Sequence, residues 1–129
     1  MKAKPSLAIL ACCGMALAGS AARAATQDSF LVRNTGDLVD LCSAAPADPV
    51  YTAAVNFCHG FAAGVYRVLR EIDAAERSQH LFCLPTPPPT RNDAIAAFVQ
   101  WAKADPSRMA QPAEDGLAAF LSRQYPCSR

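Results

Sequence analysis

A helical pattern of apolar residues near the middle of the chain constrains the fold more than any other feature. Between residues 50 and 77, apolar side chains recur at spacings of three, four and seven: Ala54, Phe57, Cys58, Phe61, Val65, Val68, Leu69 and Ile72. This spacing is typical of one buried face of an α-helix. Charged side chains of the same segment fall off the stripe, and we expect them to face solvent: Arg67, Arg70, Glu71 and Asp73.

Gly60 and Gly64 lie four residues apart in this predicted helix. Each glycine disfavours a helix by about 1 kcal/mol relative to alanine. Glycines that are kept at helical spacing usually allow another backbone to approach closely. The pair is therefore interpreted either as a tight crossing with another helix of the same chain or as the seam of a homodimer.

Three shorter helices complete the predicted fold. The first starts near Thr35, interpreted as its N-cap; the other two start at Thr90 and at Pro112. Residues 25–33 show no periodic pattern and are expected to form a loose N-terminal arm. No strand-like alternation of useful length appears. The sequence thus predicts an all-α fold, a small disulfide-stapled bundle of about four helices.

The chain begins with the features of a secretory signal peptide. A basic start precedes an apolar run over residues 7–19, and Ala22-Arg23-Ala24 supplies the small residues of a cleavage site. We predict cleavage after the last of these, which divides the chain into a signal peptide, residues 1–24, and one domain, residues 25–129. One alternative is that the segment is retained as a membrane anchor, but crossing a bilayer takes roughly 20 apolar residues, more than this run contains. Another alternative is processing as a lipoprotein, with a lipid on Cys12.

Removal of the signal peptide changes the charge of the protein. Three of the 12 basic residues are lost with it, which leaves 9 basic residues against 11 acidic ones. A net charge near −2 gives no basic surface for nucleic acid or for an anionic membrane. We therefore expect a periplasmic protein that contacts neither nucleic acid nor, after cleavage, a membrane.

Four cysteines remain after cleavage: Cys42, Cys58, Cys83 and Cys127. An even number in a small exported domain predicts two disulfides. In a helix that ends near residue 77, Cys58 lies about 28 Å from the helix end, whereas the six residues that lead back to Cys83 span about 20 Å. Reach therefore favours Cys42–Cys58 with Cys83–Cys127. The alternative of Cys42–Cys83 with Cys58–Cys127 stays open.

The sequence lacks the residue patterns of an enzyme or a metal site. Cys58 and His59 are adjacent, and adjacent helical residues point about 100° apart, so they do not form a nucleophile–base pair. The chain has no C-x-x-C pair, no phosphate-binding glycine loop and no G-x-S-x-G motif. We predict no catalytic residue, no metal ligand and no cofactor.

Four short motifs occur in an order and at spacings that resemble one protein family: Leu41-Cys42-Ser43; Phe57-Cys58-His59-Gly60-Phe61 with Gly64-Val65-Tyr66; Cys83-Leu84-Pro85; and Tyr125-Pro126-Cys127. Over about residues 35–127 the chain resembles the Tai-like (Rap/Tai) immunity proteins, which protect bacteria against peptidoglycan amidases delivered by type VI secretion. The resemblance implies a small helical periplasmic protein, often a homodimer, that binds an amidase effector and covers its Cys–His active site.

The surface that would contact such a partner is expected in exposed loops. A rigid protruding loop can enter a cleft with little loss of conformational entropy. The proline-rich connector of residues 84–90 supplies the candidate partner-binding loop, Thr86, Pro87, Pro88 and Pro89, and residues 43–49 supply a second candidate. Two other functions fit the size and compartment: a periplasmic helical stress chaperone, and an orphan binding scaffold without a cognate toxin.

Overall fold

A computed structural model describes residues 24–76 and 80–128. Within these residues all regular secondary structure is helical. It comprises a 3₁₀ helix, Gln27–Leu31, followed by α1 Thr35–Cys42, α2 Tyr51–Ala75, α3 Arg91–Lys103, α4 Pro106–Met109 and α5 Ala113–Gln124. The all-α prediction is confirmed, and the short α4 is an α-helix beyond the four that the sequence predicted. Residues 1–23 of the predicted signal peptide lie outside the described residues.

The short helix α1 lies at the centre of the domain. It packs against the 3₁₀ helix and against α2, α3, α4 and α5, and its side chains Leu38, Val39 and Leu41 are fully buried. An isolated helix of eight residues is unstable in water. Tertiary packing, rather than helix propensity, therefore holds α1 in place.

Asn34 caps α1, and the prediction of Thr35 as the N-cap is wrong. The Asn34 side chain accepts a hydrogen bond from the Asp37 backbone N–H. Thr35 is the first helical residue and is fully buried; its hydroxyl donates to the Gln111 carbonyl at 3.1 Å. The Thr35 hydroxyl therefore bonds to a carbonyl that is distant in the sequence, instead of capping the start of α1.

The N-terminal segment is more ordered than predicted. Ala25 and Ser29 are buried, and the 3₁₀ helix Gln27–Leu31 packs against α1. The prediction of a loose arm is therefore wrong. The sequence did not reveal this helix because a 3₁₀ helix has three residues per turn and does not produce the 3.6-residue pattern of an α-helix.

Aromatic side chains join α3 to α5 in the main core. The rings of Phe98 and Phe120 pack edge to face with their centroids 5.6 Å apart. Trp101 and Tyr125 each contact Phe120, with centroid distances of 5.9 Å and 6.0 Å. Edge-to-face packing of this kind adds about 0.5–1.5 kcal/mol per pair beyond the burial of apolar area.

Two disulfides fix the ends of this bundle. Cys42 is bonded to Cys58 across 16 residues, and Cys83 is bonded to Cys127 across 44 residues. This is the pairing that was favoured by the distances that the segments between the cysteines can span. The first bond joins the end of α1 to α2, and the second ties the segment before α3 to the C-terminal residues.

The long helix α2 agrees with its predicted span to within two residues at each end. Its buried face, however, differs from the predicted stripe. Val68 and Ile72 are 59% and 48% exposed, whereas Asp73, predicted to face solvent, is only 8% exposed. No helix in residues 24–76 or 80–128 combines the length and apolar character needed to cross a membrane.

Candidate functional site

The proline-rich connector is held at both of its ends. Where it begins, Cys83 is disulfide-bonded, and its backbone N–H donates to the Tyr125 carbonyl at 2.8 Å. Where it ends, the Thr90 side chain caps α3 by accepting from the Asp93 N–H, as predicted, and donates to the Asp93 carboxylate at 2.6 Å. The chain between these anchors is therefore restrained.

We call residues 86–89 within this connector the proline loop. Thr86, Pro87 and Pro88 are exposed, and Pro89 is half-buried. The Thr86–Pro87 peptide bond is cis. The three consecutive prolines have fixed φ angles, which limits the number of conformations of the loop. The predicted partner-binding residues thus lie together on the surface of a restrained segment.

The second candidate loop, residues 43–49, is also anchored. It follows the Cys42–Cys58 disulfide, and the Asp48 side chain accepts from the Val50 N–H at 3.1 Å. At its start, Ser43 Oγ accepts from Lys103 Nζ at 3.2 Å. Most of its residues are exposed.

The two candidate loops lie at opposite ends of α3. The proline loop leads into Arg91, the first residue of α3, whereas Ser43 contacts Lys103, the last. The 13 residues of α3 span about 20 Å at 1.5 Å per residue. The structure therefore does not bring the two loops together, and a single narrow active-site cleft would accept one of them.

An open groove runs along one face of α2. We call it the glycine groove; it is lined by Gly60, Phe61, Gly64, Val65, Val68, Leu69, Glu114, Asp115 and Ala118. A Cβ built on either glycine would meet no described atom within 4 Å outside the local helix backbone. The interpretation of these glycines as a tight intramolecular crossing is therefore wrong for the described part of the chain.

The close helix contact occurs instead at Gly116 of α5. A Cβ at this position would lie 2.1 Å from Thr35 Oγ1 and 3.1 Å from Thr35 Cβ. Sequence reasoning missed this glycine because it stands alone in its helix. The available signal was the glycine itself: it lies next to the apolar residue Leu117 in a predicted helix, although alanine would favour the helix more.

The adjacent Cys58 and His59 do not form a reactive pair. Cys58 is 1% exposed, and its sulfur is bonded to Cys42, so it carries no thiol. In the described ranges, no group of three His, Cys, Asp or Glu side chains is arranged to hold a metal ion.

A buried carboxylate fastens the segment that follows α2. Asp73 accepts hydrogen bonds from the Leu81 backbone N–H and from His80 Nδ1, the latter at 3.1 Å. The Leu81 N–H, and secondarily His80, lower the pKa of Asp73 from its ordinary value of 3.8, although burial opposes them. The charged carboxylate therefore anchors His80 and Leu81, which precede the proline-rich connector.

A family model described as Rap1a immunity proteins matches residues 34–127. The chain belongs to the Rap1a immunity protein family. No curated protein and no solved structure matches it. The matched segment runs from the cap of α1 to the last cysteine, so the Rap1a domain contains all five α-helices, both disulfides and both candidate loops.

Membership in the Rap1a family implies that the protein binds a cognate effector. Within this Rap1a domain, three exposed features are candidates for protein contact: the proline loop, the loop of residues 43–49 and the glycine groove. The two loops are restrained, exposed segments, whereas the groove is an open face of α2 that would suit another helix.

Proposed function

We propose that this Rap1a protein is a periplasmic immunity protein that binds a peptidoglycan amidase effector of type VI secretion and inhibits it by covering its active site. The observation that carries this proposal is the family match over residues 34–127, which spans the whole disulfide-bonded bundle. The resemblance of its four motifs to Tai-like proteins supports an amidase as the effector.

The periplasm is supported by two features of the chain. The predicted signal peptide would direct export across the inner membrane. Both disulfides, Cys42–Cys58 and Cys83–Cys127, form and persist in an oxidising compartment. Peptidoglycan lies in the same compartment, so the protein and an amidase delivered there would meet.

The proline loop is suited to block an active site. It is exposed, and a disulfide and a helix cap hold its two ends. A segment that is already ordered loses little conformational entropy on binding, so more of the contact energy appears as affinity. Occlusion requires no catalytic group of the inhibitor itself, in agreement with the non-enzymatic role that we propose.

The glycine groove is suited to a second copy of the chain. Gly60 and Gly64 leave space for a helix backbone to approach, and Val68 is 59% exposed beside them. A two-fold pairing would bury this apolar face in both copies at once. We therefore propose a homodimer through α2, which leaves the proline loops for the effector.

Protection of cells tests this function. We expect a gene for a small Cys–His hydrolase beside the gene of this protein. When that hydrolase is directed to the periplasm it should lyse bacteria, and co-expression of the full-length immunity protein should restore growth. A form without residues 1–24 stays in the cytoplasm and should not protect. Lysis that is unaffected by the exported, oxidised protein would contradict the proposal.

A further inference from the structure

A cavity of about 370 Å³ opens between α2, α3, α5 and the proline-rich connector. Its wall is mainly apolar and includes Leu84, Ile95, Leu117 and Leu121. Small-molecule sites in proteins usually have volumes of roughly 300–1,000 Å³ and a mostly apolar lining. The cavity thus has the size and the lining of a small-ligand site.

The cavity carries positive charge. Arg67 on α2 and Arg91 at the start of α3 both line it, and no Asp or Glu does. Among the described residues neither arginine forms an ion pair. An arginine guanidinium binds a carboxylate through charge-assisted hydrogen bonds. The complement of this cavity is therefore an apolar molecule with an anionic end.

The cavity is separate from the glycine groove. The α2 residues that line the cavity include Ala62 and Tyr66, and those that line the groove include Phe61 and Val68. Because successive residues of a helix are rotated by about 100°, these two sets lie on opposite faces of α2. A second copy of the chain on the groove would therefore leave the cavity accessible.

The shape of the cavity favours a small molecule over a folded partner. A standard protein interface buries about 800 Å² on each side, which requires a broad surface. A cavity of about 370 Å³ instead has room for a small molecule. Tyr125 also lines it, and burial, and secondarily the charge of Asp93, raise the pKa of its hydroxyl.

We propose that this cavity binds a single-chain fatty acid. The alkyl chain would lie against Leu84, Leu117 and Leu121, and the carboxylate would lie between Arg67 and Arg91. The proposal does not depend on the effector, because it concerns the isolated immunity protein. It adds a small-molecule site to a family described by protein binding.

Calorimetric titration of decanoate, kept below the concentration at which it forms micelles, tests the proposal on protein purified from the periplasm. We expect one saturable site per chain. Decanol has the same chain without the charge and should bind at least about tenfold more weakly. R67Q and R91Q should each weaken decanoate binding about tenfold. R123Q removes an exposed arginine of α5 outside the cavity and should bind decanoate as the wild type does.

A second variant tests the apolar part of the site. Ala94 lines the cavity from α3 and is half-buried, so A94L should fill the space of the alkyl chain and abolish saturable binding while the helical circular dichroism spectrum stays unchanged. Absence of saturable decanoate binding to the wild type, equal affinity for decanol, or unchanged affinity in R67Q, R91Q or A94L would each overturn the proposal.

Discussion

Thr35 of α1 packs directly on the backbone of α5 at Gly116. Its hydroxyl is held by the Gln111 carbonyl at 3.1 Å and lies 2.1 Å from the place that a Cβ on Gly116 would occupy. The hydrogen bond restrains Thr35 from turning away, and its Cβ lies 3.1 Å from the same place. An added methyl group would therefore push α1 and α5 apart.

G116A is expected to lower the free energy of unfolding by about 2 kcal/mol, because overpacking of a dense core costs about 1–3 kcal/mol. Urea unfolding followed by circular dichroism measures the loss. In the double variant T35A/G116A the most severe contact, that with the Thr35 hydroxyl, is removed, so the loss should be smaller than the sum of the two single losses. Strict additivity would contradict the close contact.

Asp73 is expected to make stability depend on pH. Because hydrogen bonds lower its pKa in the folded state, its contribution is present above the unfolded pKa and is lost as the pH falls through the lower folded value. In D73N this contribution is absent. The urea midpoints of wild type and D73N should therefore differ most near pH 7 and converge below pH 3.8.

D28N is the matched control for this experiment, since Asp28 is an exposed acidic residue of the 3₁₀ helix. Its urea midpoint should follow that of the wild type over the whole pH range. A constant difference between wild type and D73N from pH 7 to pH 3 would show that the Asp73 charge contributes nothing.

At the scale of the elements, α2 illustrates what the sequence can and cannot specify. Its period of 3.6 residues predicted the helix and its bounds. The exposure of Val68 could not be predicted from this period, because it depends on how neighbouring helices pack on each face of α2. Val68 lies in the open glycine groove beside α5 and is 59% exposed.

V68E is expected to convert the proposed homodimer into a monomer, because it places a charge on the apolar face that the second copy would bury. Sedimentation equilibrium of wild type and variant measures the change. L31E adds the same charge to another exposed apolar side chain, on the 3₁₀ helix, and should leave the dimer intact. A monomeric wild type would contradict the pairing through α2.

The proline loop is the element predicted to carry inhibition. Replacement of Thr86–Pro89 by Gly-Ser-Gly-Ser removes three prolines, each worth about 0.4–1 kcal/mol of conformational entropy, and should weaken inhibition of the effector at least about tenfold. Because these prolines also restrict the unfolded chain, the unfolding temperature should fall by several degrees, and inhibition is therefore compared at a temperature at which circular dichroism shows both proteins folded.

Replacement of Ala45-Pro46-Ala47 by Gly-Ser-Gly is the matched control, since it loosens the loop at the other end of α3. It should leave inhibition unchanged. If inhibition is instead lost with this control and retained without the proline loop, residues 43–49 form the inhibitory surface.

At the scale of the whole molecule, the two disulfides are expected to contribute unequally. In the chain-entropy model a bond that closes 44 residues stabilises the folded state by about 4 kcal/mol and one that closes 16 residues by about 3 kcal/mol. C83S/C127S should therefore lower the free energy of unfolding more than C42S/C58S. The reverse order in urea titrations would show that native packing, rather than loop closure, sets the contributions.

The resemblance of the sequence to its family predicted more about the fold than about the binding surface. The matching motifs consist largely of cysteines and aromatic residues, which hold α1, α2 and the C-terminal segment together, and of Gly60 and Gly64, which line the open glycine groove. Exposed residues such as those of the proline loop contact solvent in the free protein. Folding therefore places few constraints on them, and their role depends on a partner.

Capture of the effector by the mature, oxidised protein tests the central claim most directly. The protein serves as bait in extract of its own cells, and the bound hydrolase is then assayed on peptidoglycan. We predict recovery of one small Cys–His amidase in near-equal amount, whose hydrolysis stops when one immunity chain is added per enzyme. Recovery of no specific hydrolase from cells shown to make their secretion-system toxins, or recovery of an amidase that stays active in the complex, would contradict the account.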